Sequence, residues 1–210
     1  MKFFKYLILF LFFCINVSVS QNCDTNSIKN LCAESKKQLK INVSQSYILA
    51  LKAHALAKQC PNTIYYYESI ISLSKAYCQK SEADSCIKLL LPILSNYSGS
   101  MPTIYKAGVF HQLSSAYTMN MKLVDGLKNG LEALKNYEII KDTSNTANLL
   151  VNIANIYQQQ NNFKQAENYL RQAETKAKLI TRKVALGNVY NTMGILYAEH
   201  GQLDSALKFF

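Results

Sequence analysis

The sequence predicts an all-α fold in which antiparallel helix pairs stack into an α-solenoid. The first observation is a tyrosine that recurs every forty residues, at Tyr77, Tyr117, Tyr157 and Tyr197. The second is that glycine (7) and proline (3) are scarce among the 210 residues. That scarcity disfavours a turn-rich β protein and suits long helices that short loops connect.

Other positions also carry one type of residue at the same forty-residue spacing as the tyrosine, and we call each such set of positions a column. A small residue precedes each tyrosine by three positions, and another follows it by nine. Apolar residues three and four apart within each unit indicate helices, so each unit predicts two helices with a polar break between them. The two small columns are Ser74, Ser114, Ala154 and Gly194, and then Cys86, Gly126, Ala166 and Ala206.

The small columns also predict how the two helices of a unit pack. Small side chains that face each other let two backbones approach closely, and the tyrosine and bulky columns then fill the space toward the next pair. Asp84 and Asp204 stand where second helices begin. We therefore expect their carboxylates to cap free backbone N–H groups.

These columns resemble the signature of the tetratricopeptide repeat, in which an apolar–small pair and a tyrosine are followed by small, bulky and small residues. The resemblance implies a right-handed α-solenoid whose first helices line a concave face. The family's usual period is about 34 residues. Because stretches such as residues 175–186 contain no Pro or Gly, we expect the extra residues to lengthen the helices. The best match is Leu150, Ile153, Ala154, Tyr157, Ala166, Leu170 and Ala173.

The repeat register divides the chain into a leader and five units. In the first unit Lys37 stands at the tyrosine position. The last unit stops inside its second helix, where Leu203, Leu207 and Phe210 would leave an apolar face bare, so we expect the sequence to be a fragment or to have lost a continuation. The predicted boundaries are 1–20 for a signal peptide, 21–62 for a degenerate N-terminal helical capping unit, 64–100 and 104–140 for TPR-like units, 147–180 for a TPR unit and 187–210 for a truncated one.

The first twenty residues have the pattern of a secretory signal peptide. Two lysines precede an apolar run at residues 7–15, and Ser18 and Ser20 place small residues where a signal peptidase cleaves. An uncleaved anchor is the alternative, but a spanning helix needs about 20 apolar residues. Lipidation at Cys14 is disfavoured, because lipoprotein signals have a small residue at the position before the cysteine and this sequence has Phe13. We therefore expect export to the periplasm or the extracellular space.

The basic charge balance does not indicate a nucleic-acid partner. The formal net charge is +10, or +8 once the two lysines of the signal peptide are removed. Lysines such as Lys52, Lys88 and Lys128 are spread singly along the chain, which is the pattern of solvated helix faces rather than of a basic patch. Export also argues against nucleic acid.

Five cysteines remain after the predicted cleavage, all in the first half of the mature chain. An oxidising compartment permits disulfides. Cys78 and Cys86 could pair if a turn falls between them, Cys23 or Cys32 could reach Cys60, and the odd count leaves one thiol over. The alternative is that these cysteines are small buried residues of the core.

No pattern of catalytic or metal-binding residues is present. The sequence has no Gly-rich phosphate loop, no Cys-x-x-Cys pair and no Gly-x-Ser-x-Gly, which are the patterns that mark common phosphate, metal and nucleophile sites. His54, His111 and His200 are far apart in sequence. We therefore predict a chain that is not an enzyme, and we assign no catalytic residue, no metal ligand and no cofactor.

The predicted partner-binding residues lie on the first helices, at positions that the core columns do not use. In the unit of Tyr157, the side chains of Asn148, Asn152, Asn155 and Gln159 are spaced four, three and four residues apart, which places them on one helix face. An amide both donates and accepts, so a row of amides can pair with the backbone of an extended peptide. The full predicted set is Lys75, Gln79, His111, Gln112, Ser115, Asn148, Asn152, Asn155, Gln159, Asn188, Asn191 and Thr192.

The resemblance suggests two functions. Chaperone-binding tetratricopeptide domains carry Asn in such columns together with Lys and Arg that clamp a terminal carboxylate, but here Val151, Asn188 and Thr192 stand there, so that clamp does not carry over. We expect a non-catalytic scaffold for a protein or extended-peptide partner outside the cytoplasm. The alternative is the sensor part of a bacterial membrane signalling protein, whose histidine kinase or helix-turn-helix region would lie in a missing C-terminal part.

Overall fold

A computed structural model of the chain describes residues 23–97, 99–180 and 184–210, and this part of the chain forms ten helices and no strand. Consecutive helices pair, and the pairs stack in chain order, so the predicted all-α solenoid is confirmed. The predicted signal peptide lies outside the described residues. The helices are α1 (Thr25–Gln38), α2 (Val43–Ala57), α3 (Ile64–Gln79), α4 (Ala83–Tyr97), α5 (Thr103–Met119), α6 (Leu123–Ile139), α7 (Thr143–Gln159), α8 (Phe163–Lys178), α9 (Val184–Glu199) and α10 (Leu203–Leu207). Within these ranges, no helix combines the length and the apolar character that crossing a bilayer requires.

The forty-residue period has a simple structural origin. Helices α5 and α6 are each 17 residues long, and three residues separate α5 from α6 and α6 from α7. Two long helices and two short turns therefore account for the period. At the next junction α8 ends at Lys178, and Leu179 and Ile180 follow it outside the helix. The helices therefore do not run through the whole of residues 175–186, as the absence of Pro and Gly had led us to expect.

The turn inside each of the last four pairs has the same hydrogen bonding. The carbonyl of the tyrosine column accepts from the N–H five residues later, over 2.8–2.9 Å. The residue before that N–H has a positive φ of 56–71°. This is the Schellman motif that ends many helices. The left-handed residues are Ser81, Met121, Asn161 and Gly201. Only the last of these four is a glycine, although glycine adopts this conformation most easily.

The hydrogen bond that closes the turn between α1 and α2 spans one residue fewer. The Asn42 N–H bonds to the carbonyl of Gln38, four residues back, over 2.8 Å, and none of residues 39–42 has a positive φ. Gln38 therefore holds the tyrosine position that the sequence register gave to Lys37. The same shift makes Ser35 the small residue of α1. Its hydroxyl donates to the Ser46 carbonyl over 2.9 Å, and the Ser46 hydroxyl donates to the Ser35 carbonyl over 2.8 Å.

The small columns lie between the paired helices, as predicted. Ala154 and Ala166 are 1% and 0% exposed and belong to one core cluster. In the preceding pair, the Ser114 hydroxyl donates to the Gly126 carbonyl over 2.8 Å. A Cβ added at Gly126 would lie 2.7 Å from the Thr118 Oγ1. A larger residue at this point would therefore have to displace the Thr118 hydroxyl, which donates to the Ser114 carbonyl over 2.8 Å.

The predicted acidic caps of second helices are not formed by hydrogen bonds. The Asp84 carboxylate accepts from the Asn120 amide over 2.7 Å, and α10 has no side-chain cap bond. Both carboxylates lie in the first turn of their helices, where a negative charge is still favourable. Side chains that accept from a backbone N–H at a helix start belong to Asp24, Asn42, Thr63, Asp142 and Asn162.

One disulfide is present in the described chain. Cys23, just before α1, is bonded to Cys60, just after α2, which selects one of the pairings that the sequence left open. The Sγ atoms of Cys78 and Cys86 lie 3.6 Å apart as free thiols. Cys32 is a third free thiol and is buried. The Cys78–Cys86 disulfide is therefore not formed in the structure, and it remains a prediction for oxidised protein.

Replacing Met121 by glycine is expected to stabilise the protein. Met121 is 67% exposed and its φ is 58°, so Met121→Gly removes backbone strain and little buried surface. We expect the free energy of unfolding to rise by about 1 kcal/mol, measured by urea denaturation. Gly201→Ala, at a φ of +71°, should lower the free energy of unfolding. An unchanged midpoint for Met121→Gly would show that the left-handed residue is not strained.

Mild oxidation is expected to close a second disulfide. The thiols of Cys78 and Cys86 are in contact at 3.6 Å, and only a small approach separates them from the bonded distance. With oxidised glutathione as the oxidant, we expect non-reducing peptide mapping to find a Cys78–Cys86 link while Cys32 stays alkylatable after unfolding. Cys78→Ser should leave Cys86 free. A mixed disulfide on Cys32 in place of the link would contradict this prediction.

Candidate partner-binding surface

The first helices of consecutive pairs form a continuous surface. Helix α1 contacts α3, α3 contacts α5, α5 contacts α7, and α7 contacts α9. Cavities open along the row of these helices. We call this surface the inner face, and we name its cavities N-terminal, central and C-terminal by their order along the chain.

The N-terminal cavity lies between α1, α3 and α5 and has a volume of about 170 Å³. Lys36, Glu68, Lys75 and Tyr105 line it. Burial, followed by the charge of Glu68, raises the pKa of Tyr105. The same two causes raise the pKa of the Cys32 thiol to about 12. The Glu68 carboxylate therefore acts on the part of this cavity that Cys32 and Tyr105 form.

The central cavity lies between α3, α5 and α7 and has a volume of about 310 Å³. Its lining includes Lys75 of α3, Gly108 and His111 of α5, Tyr137 of α6 and Asn148 of α7. Gly108 stands where the forty-residue register places Glu68 and Asn148 in the neighbouring units. Because glycine has no side chain, this position leaves the centre of the inner face open.

The C-terminal cavity lies between α7 and α9 and has a volume of about 430 Å³. Asn155, Gln159, Thr192, Ile195 and Glu199 are among the residues that line it. Its polar groups are mostly amides, whereas the N-terminal cavity carries lysine and glutamate side chains. The chemical character of the inner face therefore changes along the solenoid.

The predicted partner-binding residues divide into three classes of exposure. His111 and Gln112 are buried, at 9% and 7% exposed, so these two side chains form the floor of the surface rather than its outer layer. The half-buried residues are Lys75, Ser115, Asn152, Asn155 and Thr192. The exposed residues are Gln79, Asn148, Gln159, Asn188 and Asn191.

The predicted row of amides on α7 is interrupted by an internal hydrogen-bond network. The Asn152 amide nitrogen lies 2.9 Å from Nε2 of His111 and 3.4 Å from the Ser115 hydroxyl. Nδ1 of His111 lies 3.4 Å from the Tyr137 hydroxyl. Asn152, His111 and Ser115 therefore join α7 to α5, and this internal role replaces the partner-binding role that the sequence suggested for the Asn152 amide nitrogen.

The remaining amides of the predicted set are free to bind. In the described part of the chain, the side-chain amides of Asn148, Asn155, Gln159, Asn188 and Asn191 have no hydrogen-bond partner. Asn148 lines the central cavity, and Asn155 and Gln159 line the C-terminal one. The structure thus brings the α7 amides to two separate cavities, one on each side of Asn152.

Sequence reasoning missed Tyr137, which comes from a second helix. Tyr137 occupies a register position that holds Ala57, Tyr97 and Ala177 in the other units. The Tyr137 side chain is buried, at 4% exposed. Because this column holds two alanines and two tyrosines, the repeat register does not single out Tyr137. Asn145, at the start of α7, also lines the central cavity, and the repeat columns carry no signal for it either.

Burial lowers the pKa values of the histidine and the lysine on the inner face. Burial, with a smaller effect of the Lys75 charge, lowers the pKa of His111 to about 4. Burial, with a smaller effect of Lys36, lowers the pKa of Lys75. His111 is therefore neutral at pH 7, and its two ring nitrogens serve as one donor and one acceptor.

Part of the sequence matches the model of a known repeat family. Residues 105–179 match the tetratricopeptide repeat, a range that covers α6, α7 and α8 and most of α5. No curated protein matches the sequence.

Several solved structures are similar in fold. The chain is 14% identical to the nearly identical TPR-like repeats of a Podosopora anserina protein described as a kinesin light chain, with 88% of this chain and 92% of that chain covered and a TM-score of 0.64. It is 19% identical to BtubC from P. vanneervenii, over 87% and 70%, with a TM-score of 0.62. A signal transduction ATPase from Pyrococcus horikoshii with a tetratricopeptide repeat sensor is 16% identical, over 87% of this chain and 28% of that chain, with a TM-score of 0.68. At these identities the likeness shows the fold alone.

Acid is expected to destabilise the protein through its buried histidines. In the folded chain the pKa values of His54 and His111 are about 4, chiefly because of burial, whereas an unfolded histidine titrates near 6.5. Between those values the unfolded chain binds more protons, so stability falls as the pH drops from about 6.5 to 4. At pH 5 the loss is about 2 kcal/mol for each histidine.

Urea denaturation at pH 7 and pH 5 measures this effect. We expect His111→Gln and His54→Gln each to reduce the difference in unfolding free energy between the two pH values. The matched control is His200→Gln, because His200 is exposed. Equal pH dependence in all three variants would show that the buried histidines do not cause the acid sensitivity.

Proposed function

Because residues 105–179 carry tetratricopeptide repeats and the described chain folds as a TPR-like α-solenoid, we propose that this protein is a non-catalytic scaffold that binds an extended segment of a partner protein. The segment lies along the inner face and contacts successive first helices. The tetratricopeptide fold itself is suited to protein–protein interaction, and the proposal adds the surface and the form of the bound segment.

The observation that carries the proposal is the set of unpaired amides beside the cavities of the inner face. An extended segment cannot satisfy its own backbone N–H and C=O groups by helical bonds, so it needs a surface that both donates and accepts. Asn148, Asn155 and Gln159 each offer both functions. Because none of these amides is bonded within the described chain, a ligand does not have to break an internal hydrogen bond to reach them.

The length of the inner face matches a segment of ordinary size. Packed helices lie about 8–10 Å apart, so the row from α3 to α9 spans roughly 30 Å. An extended chain rises about 3.3 Å per residue, so about nine residues cover the row. The inner face is therefore longer than one bound side chain requires, and its length fits a short linear motif of the partner.

We place this binding outside the cytoplasm. The apolar run at residues 7–15, preceded by lysines and followed by small residues, has the pattern of a secretory signal. The Cys23–Cys60 disulfide fits an oxidising compartment, in which such bonds persist. Both observations support export, and neither identifies the partner.

A sensor domain is the second candidate. The Pyrococcus horikoshii protein of similar fold is a signal transduction ATPase that uses tetratricopeptide repeats as its sensor. In that role this chain would be the exported input part of a larger signalling protein. Genomic sequence downstream of Phe210 distinguishes the two candidates, because a sensor requires an open frame that encodes about 20 apolar residues followed by a signalling domain.

Binding through the inner face can be tested with a display library of twelve-residue linear peptides. Peptides selected on the purified protein are expected to lose about tenfold or more in affinity for the double variant Asn155→Ala, Gln159→Ala, because two amide hydrogen bonds are removed. Affinities are measured by fluorescence polarisation. Since neither amide has a partner in the described chain, the variant should keep the stability of the parent protein.

The matched control is Asn168→Ala, Gln172→Ala on α8. It removes the same two residue types at the same spacing from exposed positions of a second helix. Affinity should be unchanged in this control. If both double variants bind the selected peptides as tightly as the parent, the inner face is not the binding surface and the proposed function is wrong.

A further inference from the structure

We propose that the central cavity binds a carboxylate side chain, an Asp or Glu, of the partner segment, and that Lys75, the Tyr137 hydroxyl and the Asn148 amide hold it. This inference rests on the proposed function and specifies the chemistry that the partner must carry. It differs from a terminal-carboxylate clamp, because the inner face continues past this cavity in both directions. A bound segment therefore passes through the cavity and presents a side chain to it.

Lys75 is the first reason for a negatively charged ligand. It lies on α3 and lines both the N-terminal and the central cavity. It is half-buried, and no hydrogen bond or ion pair of its ammonium group is found in the described part of the chain. Removing a charge from water without a counter-ion is unfavourable. A ligand carboxylate supplies the missing counter-ion.

The charges around Lys75 do not replace that counter-ion. Its pKa is lowered by burial and by the positive charge of Lys36, with no contribution from an acidic group. Glu68 lines the N-terminal cavity, but its charge acts on Cys32 and Tyr105. Burial is the main cause that raises the pKa of Tyr137, and the charge of the Asp142 carboxylate is a smaller cause. That carboxylate accepts hydrogen bonds from the backbone N–H and the side-chain amide of Asn145, over 3.0 and 2.7 Å.

The hydrogen-bond network beneath the cavity leaves the hydroxyl hydrogen of Tyr137 unused. The Asn152 amide nitrogen only donates, so Nε2 of His111 accepts at 2.9 Å and the ring proton lies on Nδ1. Nδ1 then donates to the Tyr137 oxygen, 3.4 Å away. The hydroxyl hydrogen of Tyr137 is left to donate elsewhere, and Tyr137 lines the central cavity. The network thus converts a buried tyrosine into a donor toward the cavity.

The other walls of the cavity fit the rest of an acidic side chain. Asn148 is exposed at the rim and its amide has no partner in the described chain. Ile71 and Ile104 form apolar walls of this cavity of about 310 Å³, and Gly108 adds no side chain to it. A carboxylate has two acceptor oxygens and no donor, which matches a lining that offers an ammonium group, a hydroxyl and an amide.

The experiment uses the peptides selected on the parent protein, synthesised with acetylated and amidated ends so that no terminal carboxylate is present. We expect Asp or Glu to be enriched at one position. Replacing that residue by Asn or Gln should weaken binding to the parent about tenfold, because charge-assisted hydrogen bonds are lost. The same peptide change should have little effect on the Lys75→Met variant, since the counter-charge is already absent.

Two further variants make the assignment specific. Tyr137→Phe removes only the hydroxyl, so it should weaken binding of the acidic peptide severalfold and leave its amide analogue unaffected. Lys88→Met is the control for net charge, because Lys88 is exposed on α4; it should bind as the parent does. Lys75→Met should also raise the melting temperature, since it removes a half-buried charge that has no partner in the described chain.

Each outcome decides the inference. Peptides that depend on Asn155 and Gln159 but show no acidic enrichment would overturn the carboxylate site and leave the proposed function intact. An equal loss from the Glu→Gln or Asp→Asn change in the parent and in Lys75→Met would also overturn it. Peptides that bind only with a free C-terminus would show that the cavity takes a chain end. If no selected peptide depends on the inner face, both proposals fail.

Discussion

The close approach of two helix backbones within each pair is the constraint on which the rest of the structure depends. Ala154 and Ala166 are fully buried in one cluster, and the Ser114 hydroxyl reaches the Gly126 carbonyl across the pair. Helices that pack this closely leave little room for large side chains between them. The column tyrosines instead contact the preceding pair, as the ring contacts of Tyr77 with Tyr47 and of Tyr197 with Phe163 show. Stacking then follows, because a pair with one apolar side unburied is unstable alone.

The repeat columns made the fold predictable because each column reports a contact that recurs. The tyrosine column marks the helix end whose carbonyl accepts the Schellman bond, and the small columns mark the close approach. The prediction failed where a contact does not recur. The hydrogen bond from the Asn42 N–H, which spans one residue fewer, shifts α1 by one residue, and a register counted from later units cannot detect this shift. Asp84 likewise bonds to Asn120 of the next turn because that partner happens to be in reach.

The candidate site was only partly predictable, for a related reason. Periodicity correctly assigned Asn148, Asn155 and Gln159 to an open helix face, but it could not show that Asn152 bonds to His111. That contact joins residues separated by 41 positions, and other bonds between units also join residues about one period apart, such as Ser72 with Ser35 and Gln158 with Glu199. A register therefore identifies which residues are neighbours in adjacent units. Whether two such neighbours bond to each other or to a ligand depends on the distance between their side-chain atoms, and the spacing of residues in the sequence does not determine that distance.

The inner face carries two kinds of polar residue. Those that bond to one another stabilise the free protein, whereas a half-buried charge without a partner in the described chain destabilises it. The Asn152 amide donates to His111, and His111 donates to the Tyr137 oxygen; this buried network joins α5, α6 and α7. Lys75 has no such partner in the described chain, so its burial is unfavourable without compensation from the fold. The proposed carboxylate site rests on this contrast, because a ligand charge would offset the unfavourable burial of Lys75. Gly108 needs no ligand to explain it, because a Cβ there would lie 2.9 Å from the Ile71 Cδ1 atom and the packing of α5 against α3 therefore favours glycine.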